Sequence, residues 1–187
     1  MNFQKRMQEH QEAVNRLLND STQLAVIEKM AAICKDAIKN GHKILLCGNG
    51  GSAADSQHIT AEFVGRFVKE RGGLPAVALT TDTSILTAVG NDYGYDEVFR
   101  RQVEALGRKG DVLIGISTSG NSGNVVKAFE QAAKQGITIL AFTGPKESQM
   151  SALAEVTLRV PAPVTARVQE CHIMVGHMIC EAVDEDY

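Results

Sequence analysis

The sequence predicts an α/β fold in three αβα layers: one five-stranded parallel sheet flanked by helices on both faces, preceded by a helical extension. Three observations carry this. Five short apolar, largely β-branched runs recur along the chain, at Lys43 to Cys47, Ala76 to Leu79, Val112 to Ile116, Thr138 to Phe142 and Val156 to Val160, and such runs read as strands buried on both faces. Between them lie helical stretches, at about Ala53 to Val68, Ser84 to Val89 with Asp96 to Leu106, and Asn124 to Gln135. That alternation implies right-handed crossovers. Glycine- and hydroxyl-rich loops directly follow the first and third runs, each opening a helix.

Taken in order, the chain begins with Phe3, Met7, Val14 and Leu17 on a ladder of coiled-coil spacing whose middle rung is His10, the stripe of a helix that needs a partner. A second helix starts at the cap candidates Asp20 to Thr22, turns Leu24, Ile27, Ala31 and Cys34 inward and stops at Asn40-Gly41, a good C-terminal signal. Residues 1–40 therefore read as N-terminal helices that pack in an oligomer, and 41–187 as the sheet-bearing body, within one structural domain. The last helix, about Thr165 to Asp184, follows the breaker Pro161-Ala-Pro163.

At 187 residues with 44% hydrophobic content the chain can bury one substantial core. Its net charge is -3 and its basic residues are scattered, which argues against a nucleic-acid surface. No stretch approaches a membrane span and the amino terminus has no apolar signal core, so a cytoplasmic protein is expected. Cys34, Cys47, Cys171 and Cys180 form no C-x-x-C pair and are expected to be reduced, with Cys47 and Cys180 as small buried hydrophobes.

Ligands of open parallel sheets sit at the carboxyl ends of the strands. There the sequence puts Gly48-Asn49-Gly50-Gly51-Ser52-Ala53 and Ser117-Thr118-Ser119-Gly120-Asn121-Ser122-Gly123. Glycines let backbone approach an anion, helix starts offer unpaired N–H groups and hydroxyls add donors. Each loop could also be only a turn, with Ser52 or Ser122 as a cap, but two donor-rich loops at one sheet edge exceed what turning requires. The second lacks the lysine of an ATP-hydrolysing P-loop, so a small phosphate monoester is the expected ligand. The first also fits G-x-G-x-x-A, with Asp82 as a ribose acid; a dinucleotide-dependent oxidoreductase is thus the rival reading, though it leaves the second loop without a purpose.

His58 and Glu62, four residues apart, share a helix face, as do Gln169 and His177, eight apart in a helix otherwise filled by Val168, Ile173, Met174, Val175 and Ile179. Two imidazoles, a carboxylate and an amide suit a divalent ion of the zinc type and equally suit proton transfer. The residues alone leave both open. His172 is expected to be structural, His42 a solvated helix-end residue and His10 a bundle residue.

On Cys47 to Asp55, Gln57-His58 with Glu62, Gly90-Asn91-Asp92, Ser117 to Ser122, and Ala166 to Glu170 with His177, the sequence resembles the sugar isomerase (SIS) domain superfamily and, within it, the bacterial phosphoheptose isomerases. The likeness covers nearly the whole chain. It implies a flavodoxin- or Rossmann-like fold, a homotetramer with sites at subunit boundaries, and conversion of sedoheptulose 7-phosphate into D-glycero-D-manno-heptose 7-phosphate through a cis-enediol, on the way to lipopolysaccharide core or related surface glycans. Carried over, it makes Glu62 the base, His177 the acid, and His58, Glu62, Gln169 and His177 the positions for one zinc ion per subunit. Substrate contacts would fall to Asn49, Gly50, Gly51, Ser52, Glu62, Asn91, Asp92, Ser117, Thr118, Ser119, Ser122 and Gln169, with Arg66 serving a site from its helix face. A relative of the same superfamily, the DnaA initiator-associating protein, is a non-catalytic binding factor that lacks the Glu and final His of the proton-transfer set; both are present here.

Overall fold

In a computed structural model, which describes residues 2–187, the chain folds as α1 (Phe3–Leu18), α2 (Ser21–Lys39), β1 (Ile44–Gly48), α3 (Gly51–Val64), β2 (Ala76–Ala78), α4 (Thr83–Tyr93), a 3-10 turn (Tyr95–Glu97), α5 (Val98–Leu106), β3 (Val112–Ile116), α6 (Gly123–Gln135), β4 (Thr138–Thr143), α7 (Gln149–Leu153), β5 (Val156–Arg159) and α8 (Thr165–Asp184). The five strands pair in parallel in the order β2-β1-β3-β4-β5. The chain steps outward from β1 to β2 and then returns to pair β3 on the other side of β1. That reversal is the topological switch point, and a crevice opens there at the carboxyl ends of β1 and β3.

Strand side chains alternate between two cores. Ile44, Leu46, Ile114 and Phe142 join α2, α3 and α8 on one face, while Leu45, Cys47, Leu113 and Ala141 join α5 and α6 on the other. Burial on both sides accounts for the continuous apolar runs of β1, β3 and β4, whereas the edge strands β2 and β5, expected to be buried on both faces, are not, with Val77 37% exposed. Asp20 caps α2, its carboxylate accepting the Gln23 N–H at 3.0 Å, and Asp82 caps α4 by accepting from Ile85 at 2.9 Å. Capping is thus the part Asp82 plays in the fold. No helix among the described residues is long and apolar enough to cross a membrane.

Two further expectations need correction. The third helix ends at Val64 rather than Val68, because Gly65 begins an irregular segment that runs to β2; Arg66 therefore lies off the helix, in contact with Glu70 at 3.3 Å. The stripe on α1 divides: Leu17 is buried and Val14 packs on the core, whereas Phe3 and Met7 are 69% and 73% exposed. The capping box that opens α7, between Ser148 and Ser151, passed unread in the sequence. All four cysteines are free and buried, and burial pushes the Cys34, Cys47 and Cys180 thiols up to about 12.

Candidate active site

The second hydroxyl loop is built from its own side chains. Ser117, buried at the end of β3, has its Oγ 2.9 Å from the Ser122 hydroxyl and 3.3 Å from that of Ser119. Ser122 occupies the N-cap of α6 without bonding a helix amide, so the first N–H groups of α6 keep their donor capacity for a ligand. Gly120 turns the loop at φ +67° beside the Ser148 hydroxyl, where an added Cβ would lie 2.2 Å from Oγ. The two loops are tied together across the switch point: Asn49 Nδ2 donates to Asn124 Oδ1 and Asn124 Nδ2 donates to Asn49 Oδ1, both at 2.8 Å. Tyr95 adds a hydroxyl to Asn49 Oδ1 at 3.3 Å.

Thr118, Ser119 and Asn121 form one wall of a cleft of about 520 Å³ whose other walls include Gly144, Lys146, Thr165 and Val168. Sequence reasoning missed Lys146 and Thr165; their signal is position alone, one just past β4 and the other at the start of α8. A cleft bearing hydroxyls, a helix N-terminus and a lysine suits a phosphate monoester.

The second cluster lies where α3 and α8 meet. Gly176 permits the contact, since a Cβ there would come 2.5 Å from the Ile59 side chain. The residue before Ile59 is His58 and the one after Gly176 is His177, and their Nε2 atoms are 2.8 Å apart. Nitrogens at that distance share a proton, one ring donating and the other accepting. Glu62 Oε1 lies 3.4 Å from His58 Nε2, and Phe67 stacks on the His177 ring with centroids 5.6 Å apart. Gln169 sits over the first loop, where a Cβ on Gly51 would be 3.5 Å from its amide. Its Nε2 donates to both oxygens of Asp55, at 2.8 and 2.9 Å. Because a carboxylate only accepts, this bond turns the amide oxygen away from Asp55. Burial pushes the Asp55 carboxyl above its ordinary value, against the opposing pull of Gln169 and His58.

The structure thus brings Glu62, His58 and His177 together and puts Gln169 beside Gly51. Gly50 and Ser52 stand at the opening of α3, Ser52 buried. Asn91 and Asp92 are exposed on the last turn of α4, where Asn91 Nδ2 donates to Asp92 Oδ1 at 2.8 Å. Arg66 stands outside the cluster. His172 is fully buried, its Nε2 bonded to the Thr143 carbonyl at 3.0 Å, and desolvation lowers its pKa to about 4. His10 meets Glu170 at 2.7 Å; Asp55, the last residue of the first-loop motif, and Phe67, which no motif announced, join the cluster.

A family profile for the SIS domain matches residues 9–144. The chain belongs to the SIS domain family. It is 53% identical over 176 residues to the phosphoheptose isomerase of Burkholderia pseudomallei (strain 1710b), covering 94% of this chain and 89% of that protein. Identity to the phosphoheptose isomerase of Aquifex aeolicus (strain VF5) is 53% over 183 residues, 93% of this chain and 96% of the relative. Among solved structures it superposes on the phosphoheptose isomerase of Neisseria gonorrhoeae with a TM-score of 0.86 at 46% identity, covering 98% of this chain and 95% of the other. The Francisella tularensis phosphoheptose isomerase gives 0.93 at 34% identity, over 97% and 96% of the two chains. This SIS-family chain is an isomerase of sugar phosphates.

Proposed function

We propose that the chain interconverts sedoheptulose 7-phosphate and D-glycero-D-manno-heptose 7-phosphate by proton transfer, with Glu62 as base and His177 as acid. The observation that carries this assignment is the convergence of Glu62, His58 and His177, at the junction of a helix that leaves one donor-rich loop and a helix that borders the phosphate cleft. The Ser117 to Ser122 loop and the α6 N-terminus hold the 7-phosphate, which fixes the far end of the sugar. Glu62 takes the proton from C1 of the open-chain ketose, and the electron pair forms the C1–C2 double bond of a cis-enediol. His177, sharing its Nε2 proton with His58, protonates the C2 oxygen as that negative charge develops. Return of a proton to C2, with loss of the C1 hydroxyl proton, yields the aldose. A positioned carboxylate in general base catalysis supplies roughly a hundredfold to ten-thousandfold in rate. Asn49, Gly50, Gly51, Ser52, Asn91, Asp92 and Gln169 are the remaining candidate substrate contacts, with Arg66 an outlying one.

Zinc is the metal this donor set suits. The imidazoles of His58 and His177, the Glu62 carboxylate and the amide oxygen that Gln169 turns from Asp55 would hold the ion. When bound, it would polarise the ketose carbonyl and stabilise the enediolate. As they stand, no three His, Cys, Asp or Glu among the described residues are arranged to ligate an ion; the two rings must part from 2.8 Å, so binding should be reversible. Chelation followed by metal analysis and rate measurement is expected to lower activity, and added zinc to restore it. Full activity in metal-free enzyme, unmoved by zinc, would rule the ion out.

Exposed Phe3 and Met7 in the first turns of α1, together with an apolar groove at its other end lined by Val14, Leu18, Leu24 and Met178, support the homotetramer, because apolar surface of this kind ordinarily lies in an interface. A cytoplasmic place and a role in lipopolysaccharide or surface-glycan synthesis complete the reading. Incubation with sedoheptulose 7-phosphate and detection of aldoheptose phosphate tests it; a protein inert on that ketose yet tightly bound to a replication initiator would instead be a binding factor.

A further inference from the structure

Behind the catalytic face, and outside every motif read from the sequence, lies a buried ion pair. The side chains of Arg71 and Asp184 are 3% and 1% exposed and are bonded through Nε and Oδ1. Asp184, in the last turn of α8, also accepts the backbone N–H groups of Val68 at 2.8 Å and Lys69 at 2.6 Å through its other oxygen. Arg71 spends its remaining donors on the end of α3: Nη2 on the carbonyl of Glu62 and Nη1 on that of Phe63, both at 2.9 Å, with Gly65 and Gly72 at 3.3 and 3.0 Å. The last carbonyls of a helix have no partner within it. Here the guanidinium supplies a partner for Glu62 and, shared with the Leu74 N–H at 3.0 Å, for Phe63, so the residue proposed as the base is among those it grips.

We propose that Arg71 and Asp184 form a positioning pair for Glu62, clamping the end of α3 to the end of α8 and so setting the approach of Glu62 and His58 to His177. Neither residue touches substrate. The clamp has two parts. The carboxylate binds the irregular segment and the guanidinium to α8, and the guanidinium binds both to the backbone of the catalytic residue. Apolar packing at Ile59 and Gly176 brings the two helices together, but close packing leaves rotation and slide along the contact to be fixed by directional bonds. Burial alone would raise the Asp184 carboxyl; the bonds from Lys69, Arg71 and Val68 outweigh it and hold that group below its ordinary value, so it carries the charge the guanidinium needs.

The inference rests on Glu62 as the base, and Glu62→Gln serves as the control: if that variant keeps full turnover, the reading of Glu62 fails, whatever Arg71 does. With the control inactive, Arg71→Lys keeps the charge but not the fork of donors that reaches the Glu62 carbonyl. Its kcat should fall roughly 10- to 100-fold, the scale of about 1 Å of misplacement, while KM changes less than about twofold because the phosphate loop is untouched. Asp184→Asn keeps the shape and one acceptor and should show the same split to a smaller degree. Both variants are compared with the unmodified enzyme by circular dichroism and sedimentation. A folded Arg71→Lys or Asp184→Asn enzyme with unchanged kcat, or one whose loss lies in KM, would reduce the pair to a structural buttress. Should Arg71→Lys fail to fold, Asp184→Asn alone decides.

Discussion

The Ser117 to Ser122 loop and the α3–α8 face solve the same problem, holding polar groups in place at a crevice, by opposite means. The loop is local: Ser117, Ser119 and Ser122 bond one another within six residues, and the pairing of β3 with β1 fixes where it stands. The face is assembled from positions 119 residues apart, His58 and His177, and depends on helix packing, on Asp55 holding Gln169 and on a buried ion pair. A local loop should tolerate changes elsewhere in the molecule. An assembled face should not.

The largest effect that separates the two is expected at α1. Phe3→Ser combined with Met7→Ser removes two exposed side chains that contribute little to the monomer's own core, so each subunit should stay folded while the oligomer dissociates. If neighbouring subunits complete the face, turnover is lost while the isolated loop still binds inorganic phosphate. Sedimentation and an activity assay check this; full-length protein monomeric at micromolar concentration would contradict it. A smaller effect is predicted for Ser119→Ala, which removes a hydroxyl from the loop and leaves the face alone. A hydrogen bond to a charged acceptor contributes about 1.5–3 kcal/mol, so KM should rise with kcat nearly constant. Unchanged binding of phosphate esters would move the phosphate to another part of the crevice.

A third effect concerns stability, through His172, which joins α8 to the end of β4. With its pKa lowered to about 4 by burial, against about 6.5 in the unfolded chain, the folded state binds fewer protons between those values. Stability therefore rises with pH across that window: the contribution is full above about pH 6.5 and is lost as pH falls towards 4, on the order of 3 kcal/mol in all. His172→Gln retains a donor for the Thr143 carbonyl and does not titrate, so the slope of melting temperature against pH should flatten between pH 4 and 6.5. An unaltered slope would assign the acid sensitivity elsewhere.

The same contrast explains what the sequence disclosed. Strands buried on both faces write themselves as apolar runs, and the loop's chemistry is local, so Ser117 to Ser122 and the sheet they follow could be read directly. His58 with Glu62, and Gln169 with His177, were legible as two pairs because helical spacing puts each on one face. Their meeting was not, since it depends on a small residue, Gly176, opposite Ile59. Asp55, Phe67, Arg71 and Asp184 carry no periodic signal; a charged residue is ordinarily solvated, and only tertiary packing shows that Arg71 and Asp184 are not. The helix end at Val64 was overrun because Phe67 and Val68 continue an apolar pattern that Gly65 interrupts.

The central claim is that Glu62 moves the proton. The most direct test is the rate at which Glu62→Gln, verified as folded and assembled, converts sedoheptulose 7-phosphate to the aldose. Turnover is expected to fall by roughly a hundredfold to ten-thousandfold with substrate binding largely kept, the share of a general base. A Glu62→Gln enzyme that isomerises at the rate of the unmodified protein would contradict the account.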